Sequence, residues 1–145
     1  MDYLLQLSHR PPVVVNRGDS VLSAVEKMTS AGVGAVGVVD QDALVGIFTE
    51  RDLMKRVVLL QRDPGTMQVG EVMTSPVESV RPNDDFDRAL ETMVDRHIRH
   101  LPVADEANRI LGMLSIRNLL QEKLEKTKQE ADSLEAYMTA DGPGG

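Results

Sequence analysis

Residues 11–40, PPVVVNRGDSVLSAVEKMTSAGVGAVGVVD, fall over residues 76–105, PVESVRPNDDFDRALETMVDRHIRHLPVAD, when the chain is slid against itself by 65 positions. Eight aligned pairs are identical: Pro11 and Pro76, Val15 and Val80, Asp19 and Asp84, Ala24 and Ala89, Glu26 and Glu91, Met28 and Met93, Val38 and Val103, Asp40 and Asp105. Unrelated segments of this composition would share roughly two. One extra residue after Asp105 moves the offset to 66, and GIFTERD (46–52) then lies over GMLSIRN (112–118). A chain of 145 residues that repeats itself in this way is one supersecondary unit used twice.

Each copy reads as β-α-β-β-α. A β-rich stretch opens it, Val13 to Val15 or Val77 to Val80, and Asp19 or Asp84 then precedes an apolar-periodic run as its cap. Val21, Leu22, Val25 and Met28, and in the second copy Phe86, Leu90, Met93 and Val94, stand at helical spacing. Strands follow at 34–40 and 43–48, with counterparts at 98–105 and 109–114, and a second helix starts at Glu50 or Ile116. Gly46 and Gly112, ahead of the repeated motifs, predict a turn or a close backbone approach. The segment holding Asp63, Pro64 and Gly65 is a connector.

The fold class is therefore α+β. Residues 1–62 form the first unit with its lead segment, 63–71 the connector, 72–120 the second unit, 121–138 a C-terminal amphipathic helix and 139–145 a disordered tail.

Aromatic residues make up 3% and tryptophan is absent, so the core has to be aliphatic. The net charge of -7 opposes non-specific binding of nucleic acid, which runs on clustered Lys and Arg. The chain has no cysteine, which removes disulfides, thiolate zinc sites and cysteine nucleophiles. Without an apolar run near the roughly 20 residues of a membrane span, and with no signal-like start in MDYLLQLSHR, the chain reads as cytoplasmic.

No nucleophile with a base and no carboxylate pair stands out, so no catalytic residue is assigned and an enzyme is not expected. His97 and His100 would need a third ligand and a helix to hold zinc, and their spacing runs into a strand, so no metal site is assigned. Gly32 and Gly34 lack the Lys-Ser/Thr of a phosphate loop.

The β-α-β-β-α unit, the lead-in VGEVMTSPV, the strand IRHLPVAD and the doubled motif together resemble a tandem pair of cystathionine-β-synthase (CBS) domains, a Bateman module, over about residues 1–120. The resemblance implies two units packed through their sheets with pseudo-two-fold symmetry, leaving two clefts. It implies an adenosine-containing ligand such as AMP, ADP, ATP, S-adenosylmethionine or a related dinucleotide, and a dimer of modules, with no other cofactor required.

In that pattern Asp52 and Asn118 face the ribose diol, and Thr49 and Ser115 reach ribose or phosphate. Pro12 and Val13, or Pro76 and Val77, lie against adenine. Arg99 and His100 point toward phosphates, with Arg51 and Arg117 adding charge at helix starts.

Chemistry separates the two clefts. An ionised carboxylate accepts from both hydroxyls of a diol, and a hydrogen bond to a charged group contributes about 1.5–3 kcal/mol. Asn118 offers one carbonyl oxygen and a donor where the diol wants an acceptor, so the Asp52 cleft is the expected nucleoside site. A plainer role exists for the same residues: Thr49 and Ser115 as N-caps and Asp52 in a first turn need no ligand.

The functional expectation is a sensor of an adenosine-containing ligand that signals through a homodimer or a protein partner. The alternative is a ligand-free interaction scaffold acting through the C-terminal helix. There Leu120, Leu124, Thr127, Ala131, Leu134 and Met138 alternate at spacings of four and three. Flanking charges disfavour a parallel pair, since Lys123 would meet Lys128 and Glu130 would meet Glu135. An antiparallel pair, or packing on the protein's own body, avoids this.

Overall fold

In the first half β1 (Val14–Asn16) runs parallel to β2 (Ala35–Asp40), which pairs antiparallel with β3 (Ala43–Thr49). Helix α1 (Tyr3–Leu7) precedes β1, and α2 (Val21–Ala31) links β1 to β2. After β3 the chain makes the short α3 (Glu50–Asp52), which widens at once into a π-helical stretch, Leu53–Val58. Then come α4 (Val69–Val72), α5 (Phe86–Asp95), the antiparallel pair β4 (His100–Ala104) and β5 (Ile110–Ser115), and α6 (Ile116–Ala140). This computed structural model describes residues 2–140, with side chains to Ala136.

Both halves keep the same frame. The β2–β3 register shifts between Val38 and Val39, and the β4–β5 register shifts at the equivalent Val103 and Ala104. Helix α2 ends at Gly32 with φ 67°, and its counterpart after α5 is His97 with φ 57°.

Two expectations are corrected. The strand expected at Val77–Val80 contracts to one parallel bridge between Val80 and Val103, the counterpart of Val15 with Val38. Glu78 and Ser79 stand where the first copy has Val13 and Val14. They lack the branched side chains that favour a pleated surface, and Glu78 pairs with Arg96 instead. The helix caps also sit one residue later than Asp19 and Asp84. Ser20 Oγ accepts from the Ser23 N–H at 3.1 Å and the Asp85 carboxylate from the Arg88 N–H at 3.0 Å. Asp19 and Asp84 accept from the N–H groups of Asn16 and Arg81, closing the turn that leads into each helix.

Two large aliphatic cores form, with a smaller buried cluster of Ala35, Ile47 and Met113 drawn from both halves, and each large core borrows a segment that precedes the other unit. Val69 and Val72 of α4 are buried with Val15, Val21, Val36, Val38 and Phe48. Leu4 of α1, grouped by sequence with the first unit, is buried in the second half with Phe86, Met93, Leu101, Leu114 and Leu119. The exchange continues along the backbone. Thr74 pairs with Ile47 through hydrogen bonds of 2.8 and 3.1 Å, and His9 pairs with Met113 through bonds of the same lengths.

Close approach explains the two motif glycines. A Cβ on Gly46 would stand 2.5 Å from Met73 Sδ and 3.0 Å from the Thr74 carbonyl oxygen, and one on Gly112 would stand 2.2 Å from Ser8 Oγ.

The expected helix at 121–138 is continuous with the last helix of the second unit. Thr139 and Ala140, expected in a disordered tail, are helical, and residues 141–145 lie outside the described residues. One face of α6 docks on the body. Leu119 is buried, the Tyr3 hydroxyl donates to Glu122, Lys123 pairs with Asp87 at 3.2 Å, and Lys126 Nζ lies 4.5 Å over the Tyr3 ring. The seam of Leu120, Leu124 and Leu134 is a different face and is exposed; Met138 lies beyond the described side chains. Among the described residues no helix is long and apolar enough to cross a membrane.

Candidate functional site

Asp52 is the buried charged residue of the described fold, at 5% exposure. A carboxylate out of water needs partners, and the turn into α3 supplies them. Thr49 Oγ1 accepts from the Asp52 N–H at 3.2 Å, and Asp52 Oδ2 accepts from the Thr49 N–H at 3.0 Å, a reciprocal capping box. On the other oxygen, Oδ1 accepts from the Thr74 hydroxyl at 2.9 Å, while Arg56 Nε lies 3.8 Å away. Asp52 therefore ties the repeated motif to the exchanged segment.

The plainer role is thus fulfilled at both motifs, since Ser115 Oγ also accepts from the Asn118 N–H at 3.1 Å. What capacity is left can be counted. An ionised carboxylate offers about four lone-pair sites. The Thr49 N–H, the Thr49 hydroxyl at 3.2 Å, the Thr74 hydroxyl and a nearby guanidinium use most of them, so a ribose hydroxyl at Asp52 has to take over or share the place of the Thr74 hydroxyl.

A cleft of about 390 Å³ opens beside this carboxylate, between the halves. That volume falls within the range of small-ligand pockets. The first half contributes Thr49, Glu50, Arg51, Asp52 and Met54 around the start of α3. Thr74 comes from the exchanged segment, and the second half contributes His97, Ile98, Arg99 and His100 from the end of α5 into β4. Arg51 reaches across, its Nη1 donating to the His97 carbonyl at 3.5 Å. Burial holds the His100 imidazole below its ordinary pKa, against the upward pull of Glu50 and with the downward push of Arg99. His100 is consequently neutral at neutral pH, a polar group in place of a standing cation.

Of the residues singled out from the sequence, Thr49, Arg51, Asp52, Arg99 and His100 come together here. The proposed adenine walls do not line this cleft. Pro76 and Val77 line a separate groove of about 440 Å³ with Leu44 and Asn108, and Val13 borders another against α2. Pro12 is half-buried and lines neither groove. Ser115, Arg117 and Asn118 lie at the start of α6, outside this cleft.

Sequence reasoning missed several lining residues, among them Met54, His97 and Ile98, and two polar members matter most. Thr74 enters because the segments are exchanged, which a reading unit by unit does not reveal. Glu50 stood inside the motif, and its replacement by Ile116 in the second copy was the signal that could have found it.

The family model of the CBS domain matches twice, over residues 5–59 and 69–125. The CBS domain-containing protein CBSX3, mitochondrial, of Arabidopsis thaliana is 36% identical over 125 residues, covering 83% of this chain. The chain spans 60% of that relative's length, and likewise 60% of a Methanopyrus kandleri protein 29% identical to it. Among solved structures, the CBS domain NE2398 superposes with a TM-score of 0.77 at 34% identity, covering 85% of this chain and 95% of its own. The CBS domain pair of protein MJ0100, solved with 5′-methylthioadenosine and S-adenosyl-L-methionine, reaches 0.77 at 21% identity, covering 86% and 97%. With both copies of the repeat matched and their fold shared, the chain belongs to the CBS-domain family, as a tandem pair of CBS domains.

Proposed function

We propose that this CBS pair is a non-catalytic regulatory module that binds an adenosine-containing ligand, AMP, ADP, ATP or similar, in the Asp52 cleft and relays its occupancy through a homodimer or a protein partner. One observation carries the reading: the cleft joins Thr49 and Asp52 of one half to Arg99 and His100 of the other. A ligand seated there touches both halves at once. It shifts their relative orientation only by binding one arrangement more tightly than another. The adenosine compounds held by the MJ0100 domain pair support the ligand class.

The homodimer has its own support. Met54 and Val58 on one half and Leu120 and Leu124 on the other occupy equivalent positions, and they are 62%, 63%, 49% and 71% exposed. A surface that repeats its own apolar pairs suits a second copy of itself, and light scattering on the purified chain measures that directly.

The test of the ligand is thermal unfolding with a panel of adenosine compounds, beside Asp52→Asn. A ligand at a hundred times its dissociation constant adds about 2.7 kcal/mol, a rise in midpoint of roughly 5–10 °C for a chain of this size. The Asn variant keeps the side chain's shape and one acceptor, and should lose about tenfold in affinity. Equal affinity in the variant removes Asp52 from the site.

The scaffold reading is kept by a specific observation: Asp52 is already engaged internally and the seam of α6 is bare. It predicts no stabilisation by any compound of the panel. It also predicts no nucleotide absorbance carried through purification, easily seen in a chain with no Trp and 2 Tyr.

A further inference from the structure

Glu50 is an acid at the place where phosphates were expected. Its carboxylate Oε1 lies 3.2 Å from the point where a Cβ on Gly34 would stand, and His100 Cε1 lies 3.4 Å from the same point. The two side chains therefore flank the Gly34 position from opposite halves at one end of the cleft, with no ion pair between them among the described residues. Asp52 has hydrogen-bond donors on both oxygens and one cation nearby, Arg56, whose Nη1 also donates to the Met73 carbonyl at 2.7 Å. Glu50 has no such relief: the ion pairs among the described residues are Arg17 with Asp40, Arg56 with Asp52, Arg96 with Glu78 and Lys123 with Asp87. Its place in the first turn of α3 accounts for tolerance of an acid there. The corresponding residue of the second unit is Ile116, so the turn itself does not require one.

We propose that Glu50 limits the negative charge a ligand can bring into the cleft, favouring adenosine compounds with a neutral, cationic or singly phosphorylated 5′ substituent over di- and triphosphates. This rests on the reading of the Asp52 cleft as a nucleoside site. Glu50 and Arg99 line the same cleft, so a phosphate chain drawn to Arg99 is also repelled by the Glu50 carboxylate, and each added phosphate increases the repulsion. Specificity then comes from a repulsive element against the more charged ligand as well as from attraction to the accepted one.

The experiment is calorimetric titration of adenosine, AMP, ADP and ATP, without divalent metal, into the wild-type chain and Glu50→Gln. Removing one charge from a half-solvated cleft that holds the phosphates should raise ATP affinity relative to AMP by about three- to tenfold. Adenosine itself should change less than about twofold. An unchanged ratio of ATP to AMP affinity in the variant overturns the proposal. So does a wild-type chain that binds ATP more than about tenfold tighter than AMP, since Glu50 then fails to discriminate.

A second arm needs no variant. Raising the salt should improve ATP relative to AMP in the wild-type chain if repulsion from Glu50 governs, and worsen it if the arginines govern, which would overturn the proposal. If none of the four compounds binds either protein, the nucleoside reading of the cleft falls and this inference falls with it. If they bind but the ratios do not move, the site stands and only the role of Glu50 is lost.

Discussion

Around Ile47 and around Met113 the chain builds the same joint. Each strand residue pairs with a segment from ahead of the other unit through hydrogen bonds of 2.8 and 3.1 Å, and a glycine one position before it gives that segment room. Within the motifs that follow, Thr49 and Arg51 keep their chemistry in Ser115 and Arg117, and the residues around them do not. Asp52, Glu50, Thr74, Arg99 and His100 have as counterparts Asn118, Ile116, His9, Gly34 and Ala35. Backbone contact leaves little freedom at the joint, where an added atom collides. The cleft wall is open to change, and both acids, with Arg99 and His100, fall on one side. The Asp52 cleft therefore carries both acids, while the equivalent positions on the other side hold Ser115, Arg117, Asn118 and His9 and no acid.

The largest expected effect tests the exchange itself. Leu4 is fully buried in the second core, and Leu→Ala at such a site costs about 2–5 kcal/mol. Leu4→Ala should lower the midpoint by roughly 10 °C, and hydrogen exchange should show the loss of protection concentrated in α5, β4 and β5. Loss concentrated in β1 to β3 would place the lead segment with the half that follows it in sequence.

Next in size is a test of the joints as equals. Gly46→Val and Gly112→Val each drive a branched side chain into the exchanged segment, and overpacking of this kind costs about 1–3 kcal/mol. Urea unfolding should give losses for the two within about 1 kcal/mol of each other. A tolerated variant at one position would mean that the exchange is tight in only one half.

These joints also mark where the sequence stopped being informative. The repeat, the five strands bounded by turns and the aliphatic helices were legible because period and spacing are local properties. The exchange was not, since Leu4 and Val69 read as ordinary apolar residues and nothing in their neighbourhoods names the half that buries them. The strand lost at Glu78 and Ser79 was hidden by the identity of Val80 with Val15, which preserved one bridge and suggested a whole strand.

Helix α6 shows the converse. A shift to charged composition after Asn118 suggested a boundary, yet residues 116–140 hold no Gly or Pro, and a started helix propagates through such a run. At the site, Thr49 and Asp52 were legible as a motif. Thr74 and Glu50 required knowing what the fold brings beside them.

A smaller effect asks whether the motif alone makes a nucleoside site. Asn118→Asp restores the carboxylate that distinguishes the Asp52 cleft, but the counterparts of Arg99 and His100 remain Gly34 and Ala35. Isothermal titration should find no second site within about a hundredfold of the first, because one charged hydrogen bond contributes only about 1.5–3 kcal/mol. Two equivalent sites in this variant would show that the single carboxylate decides occupancy and that the surrounding asymmetry is incidental.

The smallest effect comes from His100, whose counterpart Ala35 cannot titrate. Burial lowers the His100 pKa in the folded chain, and the facing Glu50 only partly opposes it, with Arg99 adding to the depression. The unfolded chain therefore binds a proton at a higher pH than the folded one does. Where the unfolded state holds more protons, stability rises with pH. The contribution is present above the ordinary histidine range near pH 6.5 and is lost as the pH falls through it. Urea midpoints for the wild-type chain should drop between pH 7.5 and 5.5, and the drop should be smaller in His100→Gln, which keeps polarity without a proton to gain. His9 and His97 are the same in both proteins and cancel in the comparison. A steeper loss in the variant would mean that protonated His100 pairs with Glu50 across the halves strongly enough to outweigh burial, and acid would then tighten the cleft instead of loosening it.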